Sequence, residues 1–423
     1  MSIDFSVEPE FERRLEWARE FLDREVLPLE AIPDRPELVD RRVAELQAEV
    51  KEAGLWAAHL DPEHGGQGYG QVRLGLLQEV LGRAKLARLV FGCQPPDSGN
   101  SEILARHGTP EQKSRWLEPL LDGRIHSAFA MTEPGAGADP TLLSTRASEV
   151  AGGWELSGSK WFITNASVAS VFIVMAVTDP DAGPHERATQ FIVPADTPGL
   201  DVRREIGSME IPEPIFGRID QHAEVILDGV RVGEDAILGA RGRGFAIAQD
   251  RLGPGRIHHV MRWIGQAERA LDMLCERALS RYLHGSLLSD KQTIRNWVAD
   301  STAELHALRL MTLNAAWKID TDGPASARRE IAIIKFWGAE ALHRIVDRAL
   351  QIHGALGYST DMPLEAMYRE ARAARIYDGP DEVHRETVAR LVLRDHSPPA
   401  GDVPSEHVPT RRAAALEMLG EAS

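Results

Sequence analysis

The chain of 423 residues has only two cysteines, Cys93 and Cys275, far apart and without partner spacing. That excludes a disulfide scaffold and a cysteine zinc site. Long apolar runs are missing too: the stretch Val171 to Val177 falls well short of the ~20 residues a membrane span needs. No basic-then-apolar leader opens the sequence, which begins Met1-Ser-Ile-Asp4, so a cytoplasmic location is expected. Positive charge is scarce. With 48 basic residues, mostly Arg, against 64 acidic ones, the formal net charge is −16. A general nucleic-acid binder is therefore not expected. What remains is a chain that is 43% hydrophobic and 26% charged, rich enough in apolar residues to bury a large core. Its length suits two to three domains of ~100–200 residues each.

Three textures follow one another. In the first part, Phe11, Leu15, Ala18, Phe21 and Leu22 recur at helical spacing, as do Val43, Leu46, Val50 and Ala53. Thr109-Pro-Glu-Gln112 has the form of a capping box with proline in the first turn. From about Ser127 to Val232, short runs rich in Val, Ile, Phe and Trp alternate with Gly, Asp and Pro turns, which predicts a small β-barrel or sandwich. After Gly244 the helical period returns. One stripe runs through Ile257, Val260, Met261, Ile264, Leu271, Leu274, Cys275 and Ala278, and two more follow, which predicts a helical bundle. The expected fold class is α+β: an N-terminal helical domain (1–126), a central β domain (127–240), a C-terminal four-helix bundle (241–396) and a tail (397–423).

Two glycine motifs fail on detail. Gly153-x4-Gly158-Ser-Lys160 lacks the P-loop order, with Trp161 where Ser or Thr would bind magnesium. Gly239, Gly242 and Gly244 run in the wrong order for a dinucleotide fingerprint and read as a turn from β to α. The adjacent pair His258-His259 points its rings about 100° apart on a helix, so it reads as two satisfied helix histidines and not as a metal pair.

Three segments carry more. Met131-Thr-Glu-Pro-Gly-Ala-Gly-Ala-Asp139 combines a hydroxyl, an acid and a glycine-rich turn. Lys160-Trp-Phe-Ile-Thr-Asn-Ala166 sets two aromatics beside hydrogen-bonding groups, which suits either a flat ring cofactor or β-core packing. In Arg375-Ile-Tyr-Asp-Gly-Pro-Asp-Glu-Val-His384, Asp378 reads as a general base or as an N-cap for the next helix.

In this order these segments resemble the acyl-CoA dehydrogenase family over about residues 8–396. Ala130 to Gly137 is similar to its first signature and Gly158 to Asn165 to its second. Gln351-x-x-Gly-Ala-Leu-Gly-Tyr358 resembles its Q-x-x-G-x-x-G-Y turn, and Ile376-Tyr-Asp-Gly379 the segment with the catalytic acid. Arg251-Leu-Gly-Pro-Gly-Arg-Ile-His-His259 further resembles the subgroup that contains the tenth and eleventh mammalian members.

The resemblance implies α,β-dehydrogenation of an acyl-CoA with FAD as cofactor, and electrons passed to an electron-transferring flavoprotein. It implies a homodimer or homotetramer. Met131 and Thr132 would touch the flavin edge, Phe162 would lie over the ring and Thr164 would bond near N5. Arg281 and Gln292 of a neighbouring subunit would hold the pyrophosphate and adenosine side, joined by Gln351 and Gly354. Asp381 and Glu382 would close over the cofactor. Ala138, Arg256 and Gly379 fall at substrate-binding positions, and Asp378 at that of the base, with a pKa raised by burial. Two departures stand out. Most members have Glu where this chain has Asp378, shorter by roughly 1.5 Å, and Ser where it has Ala138. Gly255 occupies the position from which a minority of the family draws its base. Two other expectations on the same scaffold are a flavin oxidase or monooxygenase using O2, and a flavoprotein that binds acyl-CoA without turnover.

Overall fold

The computed structural model describes residues 4–399 and 401–421. Seven helices come first: α1 (Pro9–Phe21), α2 (Pro36–Glu52), α3 (Gly70–Leu81), α4 (Ala87–Val90), α5 (Asp97–His107), α6 (Pro110–Gln112) and α7 (Glu118–Leu121). The periodic residues Phe11, Leu15, Ala18, Phe21, Val43, Leu46 and Val50 are buried in one shared core, as their spacing predicts. The capping box at Thr109 forms: its hydroxyl accepts from Gln112 N–H at 3.2 Å, and Gln112 Oε1 accepts from Thr109 N–H at 3.1 Å.

Eight strands follow: β1 (His126–Ala130), β2 (Arg146–Val150), β3 (Gly153–Thr164), β4 (Ala169–Val177), β5 (Ala188–Pro194), β6 (Leu200–Ile206), β7 (His222–Gly233) and β8 (Ile237–Leu238). They form one sheet in the order β6-β7-β3-β2-β4-β5-β8, with β1 parallel to β4. Inward residues of alternating strands, among them Trp154, Leu156, Phe172, Phe191 and Val225, make a second core.

Long helices then close the molecule: α8 (Gly244–Ser280), a small hairpin of β9 (Tyr282–Leu283) and β10 (Ser286–Leu287), α9 (Gln292–Asp322), α10 (Arg328–His353), α11 (Ala355–Tyr358), α12 (Leu364–Ala373) and α13 (Asp381–Arg394). The predicted apolar stripe of α8 supplies the largest core, with Ile257, Val260, Met261 and Ile264 buried against α9 and α10. The chain is thus mixed α+β, with helices on either side of a central sheet in the sequence. A final exposed helix, α14 (Val408–Met418), buries none of its residues.

One contact between the first and third parts bears directly on the site. Where α3 meets α8, a Cβ on Gly265 would lie 2.0 Å from Glu79 O, and one on Gly82 would lie 2.1 Å from Arg262 O. Only glycine permits this approach, and it presses Gln78 against Arg262, whose Nη1 donates to Gln78 Oε1 at 2.5 Å.

Candidate active site

Helix α8 presents Arg251, Gly255, His259 and Arg262 at spacings of four, four and three, so they share one face. The turn between α12 and α13 lies against that face. Here Asp378 takes φ +53, a left-handed conformation uncommon for a residue with a side chain. Gly379 follows at φ +94, and a Cβ there would meet His384 Nε2 at 2.9 Å. The turn is held by its carbonyls. Asp378 O accepts from Arg256 Nε at 3.1 Å and from His384 Nε2 at 3.1 Å. The buried Lys335 Nζ donates to Ala374 O at 2.7 Å and to Gly379 O at 3.3 Å. Among the described residues none accepts from the Asp378 N–H.

The alternative reading of Asp378 as a helix cap is not borne out: α13 begins at Asp381 behind Pro380, without a side-chain cap. Instead its Oδ2 lies 3.2 Å from His259 Nε2. Burial pushes the carboxyl pKa up, as the sequence led us to expect. The His259 hydrogen bond and the charges of Arg256 and Arg251 outweigh burial, however, and hold the group well below the ordinary carboxylate range. The expected upward shift is therefore corrected: Asp378 is an anion. His258 and His259 are both satisfied helix histidines, as read from the sequence: His258 Nε2 lies 3.0 Å from Gln71 Oε1 and His259 Nδ1 3.0 Å from Arg262 Nη2, but His259 also stands beside Asp378 in the site. The available signal was its position four residues after Gly255, on the same helix face.

A cavity of about 260 Å³ opens beside this pair, and Thr164, Gly255, His259, Tyr377 and Asp378 all line it. The second signature segment and the Asp378 turn, far apart in sequence, thus meet in one space. The cavity is unusually polar, with Arg88, Arg262, Glu102 and Asp220 on its walls. Buried Glu102 makes no hydrogen bond, and burial raises its pKa to about 7 despite nearby Arg106 and Arg251. His59 Nδ1 is likewise buried and unpartnered, and burial lowers the pKa of this ring to about 4.

The other predicted positions divide into two groups. Thr164 Oγ1 lies 3.0 Å from His222 Nδ1, and Phe162, at φ +52, stands 47% exposed, edge-on to Trp161. Phe162 is therefore not β-core packing. Met131 O accepts from Lys160 Nζ at 3.0 Å, and Thr132 O from Trp161 N–H at 3.1 Å. Lys160 and Trp161 thus tie the Met131–Thr132 turn to the strand that carries Phe162 and Thr164, and Thr164 lines the cavity. Ala138 is exposed in the turn after Thr132. Arg281, Gln292, Gln351 and Gly354 lie on the surface of the bundle, with Gln292 bonded only to Asn296 at 2.8 Å. Arg256 is turned to the Asp378 carbonyl, so in this chain it shapes the turn. Asp381 is buried and paired with Arg375 Nε at 2.7 Å, which ties both to the fold, while Glu382 is exposed.

A ring cofactor fits the first group. An exposed aromatic in a left-handed conformation, two residues from a threonine that lines the cavity, leaves an apolar face and a hydroxyl to receive such a ring.

Comparison with known proteins agrees with this arrangement. The family model for the acyl-CoA dehydrogenase N-terminal domain matches residues 8–124, that for the middle domain 128–218 and that for the C-terminal domain 242–393. The chain belongs to the acyl-CoA dehydrogenase family. It is 40% identical to Probable acyl-CoA dehydrogenase FadE2 of Mycobacterium tuberculosis over 357 residues, 83% of this chain and 85% of that protein. It is also 40% identical over 392 residues to mouse acyl-CoA dehydrogenase family member 10, covering 89% of this chain and 36% of that protein. This likeness bears out the subgroup resemblance, although the chain spans well under half the length of these mammalian relatives. The (R)-benzylsuccinyl-CoA dehydrogenase of Thauera aromatica is 36% identical over 405 residues, 93% of this chain and 98% of that protein. Among solved structures, a candidate acyl-CoA dehydrogenase of Mycobacterium abscessus superposes with TM-score 0.87 at 39% identity, covering 93% of this chain and all of that one. PigA with FAD and proline superposes with TM-score 0.81 at 26% identity, covering 93% of this chain and 100% of that one. In this chain an acidic side chain stands at Asp378, and glycine stands at position 255 on α8.

Proposed function

We propose that this chain is an FAD-dependent dehydrogenase that converts an acyl-CoA thioester to the trans-2-enoyl-CoA and passes its electrons to an electron-transferring flavoprotein. The observation that carries the reading is the shared cavity of Thr164 and Asp378. FAD, when bound, supplies the acceptor for the β-hydride. Met131, Thr132, Phe162 and Thr164 would hold its ring, and Arg281, Gln292, Gln351 and Gly354 of a second copy in a homodimer or homotetramer would hold the remainder.

The chain's own groups account for the proton. Asp378 is ionised and lines the cavity, and its Oδ1 has no donor among the described residues, which leaves it free to take the substrate α-proton. A thioester α-proton is too weakly acidic to be removed unaided, and the developing enolate oxygen needs donors. The unpartnered Asp378 N–H is one such donor, provided by the same left-handed turn that points the carboxylate inward. The shorter Asp sits on a turn whose carbonyls are held by Arg256 of α8, Lys335 of α10 and His384 of α13. Retention of an anionic base favours dehydrogenation over monooxygenation, which needs no α-proton acceptor.

The polar walls point to an acyl group that bears hydrogen-bonding substituents. Buried polar atoms left unpaired cost about 1–3 kcal/mol each, and His59 and Glu102 would recover that cost against such a group. The test is anaerobic bleaching of the bound flavin by a panel of acyl-CoAs. Bleaching by polar acyl chains is expected, and absence of flavin or of any bleaching overturns the reading.

A further inference from the structure

We infer that His259 is a positioning residue for Asp378, and that Arg262 makes it one by fixing its tautomer. The inference rests on the reading of Asp378 as the base. Arg262 Nη2 lies 3.0 Å from His259 Nδ1. A guanidinium can only donate, so Nδ1 carries the lone pair and the ring proton sits on Nε2. Nε2 lies 3.2 Å from Asp378 Oδ2. Arg262 is itself held by Gln78 Oε1 at 2.5 Å, across the glycine-lined contact of α3 and α8. Four side chains therefore form one line of contacts, Gln78–Arg262–His259–Asp378.

Two consequences follow. Oδ2 is the carboxylate oxygen beside His259, so the contact restrains rotation of the side chain and leaves Oδ1 without a donor among the described residues. The histidine also acts as a neutral donor. Burial and the charge of Arg262 lower its pKa to about 4, against the opposing pull of Asp378. A neutral ring stabilises the anion without becoming a competing acid near pH 7. The other groups facing Asp378 are Arg251, Arg256 and Arg262 on α8, Lys335 on α10, His384 on α13 and Tyr377 in its own turn. Among the described residues, His259 is the one basic residue whose side-chain nitrogen lies within 4 Å of the carboxylate.

The experiment uses the flavin-loaded protein and a bleaching acyl-CoA. His259→Leu removes the donor, and His259→Gln places an amide N–H near the same point. The acid limb of the reduction-rate profile should move up by about one pH unit or more in H259L. Its plateau should fall about tenfold through lost alignment, with half-saturation little changed, and H259Q should restore both. Arg262→Met, which frees the tautomer, should shift the limb in the same direction. Superimposable profiles for H259L and the unaltered protein, or equal impairment of H259Q and H259L, would overturn the inference.

A second readout does not depend on turnover. Histidine-labelled nitrogen NMR, with H259Q used for assignment, should show His259 as the neutral Nε2–H form from pH 8 down to about pH 5. An Nδ1–H ring, or an imidazolium at pH 7, would overturn the inference even if no acyl-CoA bleached the flavin. That last result would count against the proposed function alone.

Discussion

Lys160 Nζ lies 2.8 Å from Glu133 Oε1, with both side chains sealed from solvent. The ammonium also donates to Met131 O at 3.0 Å and to Met175 O at 2.7 Å, while Glu133 accepts from Ser144 and Thr145 N–H groups. The lysine that gave Gly158-Ser-Lys160 its P-loop appearance is thus a strut. It joins the strand bearing Phe162 and Thr164 to the turn bearing Met131 and Thr132.

Removing one partner of this pair leaves a buried, unpaired charge. Lys160→Met should destabilise the protein by about 3–5 kcal/mol and lower flavin content. The double change Lys160→Met with Glu133→Gln should recover part of the loss, because no lone charge remains. Denaturant midpoints and flavin-to-protein absorbance ratios measure both effects.

The raised pKa of Glu102, about 7 because of burial, sets a pH dependence of stability. The folded state keeps this proton at a pH where the unfolded chain, with the ordinary value of 4.5, has lost it. Its stabilising contribution is therefore complete below pH 4.5 and is lost as pH rises through 7. Glu102→Gln should match the unaltered protein near pH 4 and exceed it by up to about 3 kcal/mol at pH 8. His59 titrates in the same range, but in both proteins, so it cancels in the difference. Equal stabilities at pH 8 would show that Glu102 ionises freely.

Phe162 holds a left-handed conformation with nearly half of its side chain exposed, a combination that core packing does not explain. Phe162→Ala should leave the denaturant midpoint of the flavin-free protein within about 0.5 kcal/mol of its original value. FAD affinity should fall about tenfold, measured by flavin fluorescence on titration. Unchanged affinity would remove Phe162 from the cofactor ledge.

Much of the fold was legible because periodicity reports burial directly: the stripe from Ile257 to Ile264 lies in the core where its spacing places it. The capping box at Thr109 was equally local. The site was legible only where motifs stand on adjacent residues. His259 escaped because its partner lies 119 positions further along the chain, and helix spacing names a shared face but not what packs against it. The ionisation of Asp378 escaped for a related reason. Burial alone argues for an upward shift, and the opposing groups, His259, Arg256 and Arg251, come from a separate helix. The pairing of Arg375 with Asp381, six residues apart across the Gly379-Pro380 turn, was likewise not readable from spacing alone.

The central claim is that Asp378 is the base for an acyl-CoA α-proton, and Asp378→Asn tests it most directly. The substitution keeps the shape of the turn and removes the basic oxygen. Anaerobic stopped-flow mixing with a bleaching acyl-CoA should show normal flavin content and a reduction rate lowered by about 10²–10⁴-fold. Flavin reduction at the undiminished rate would contradict the account.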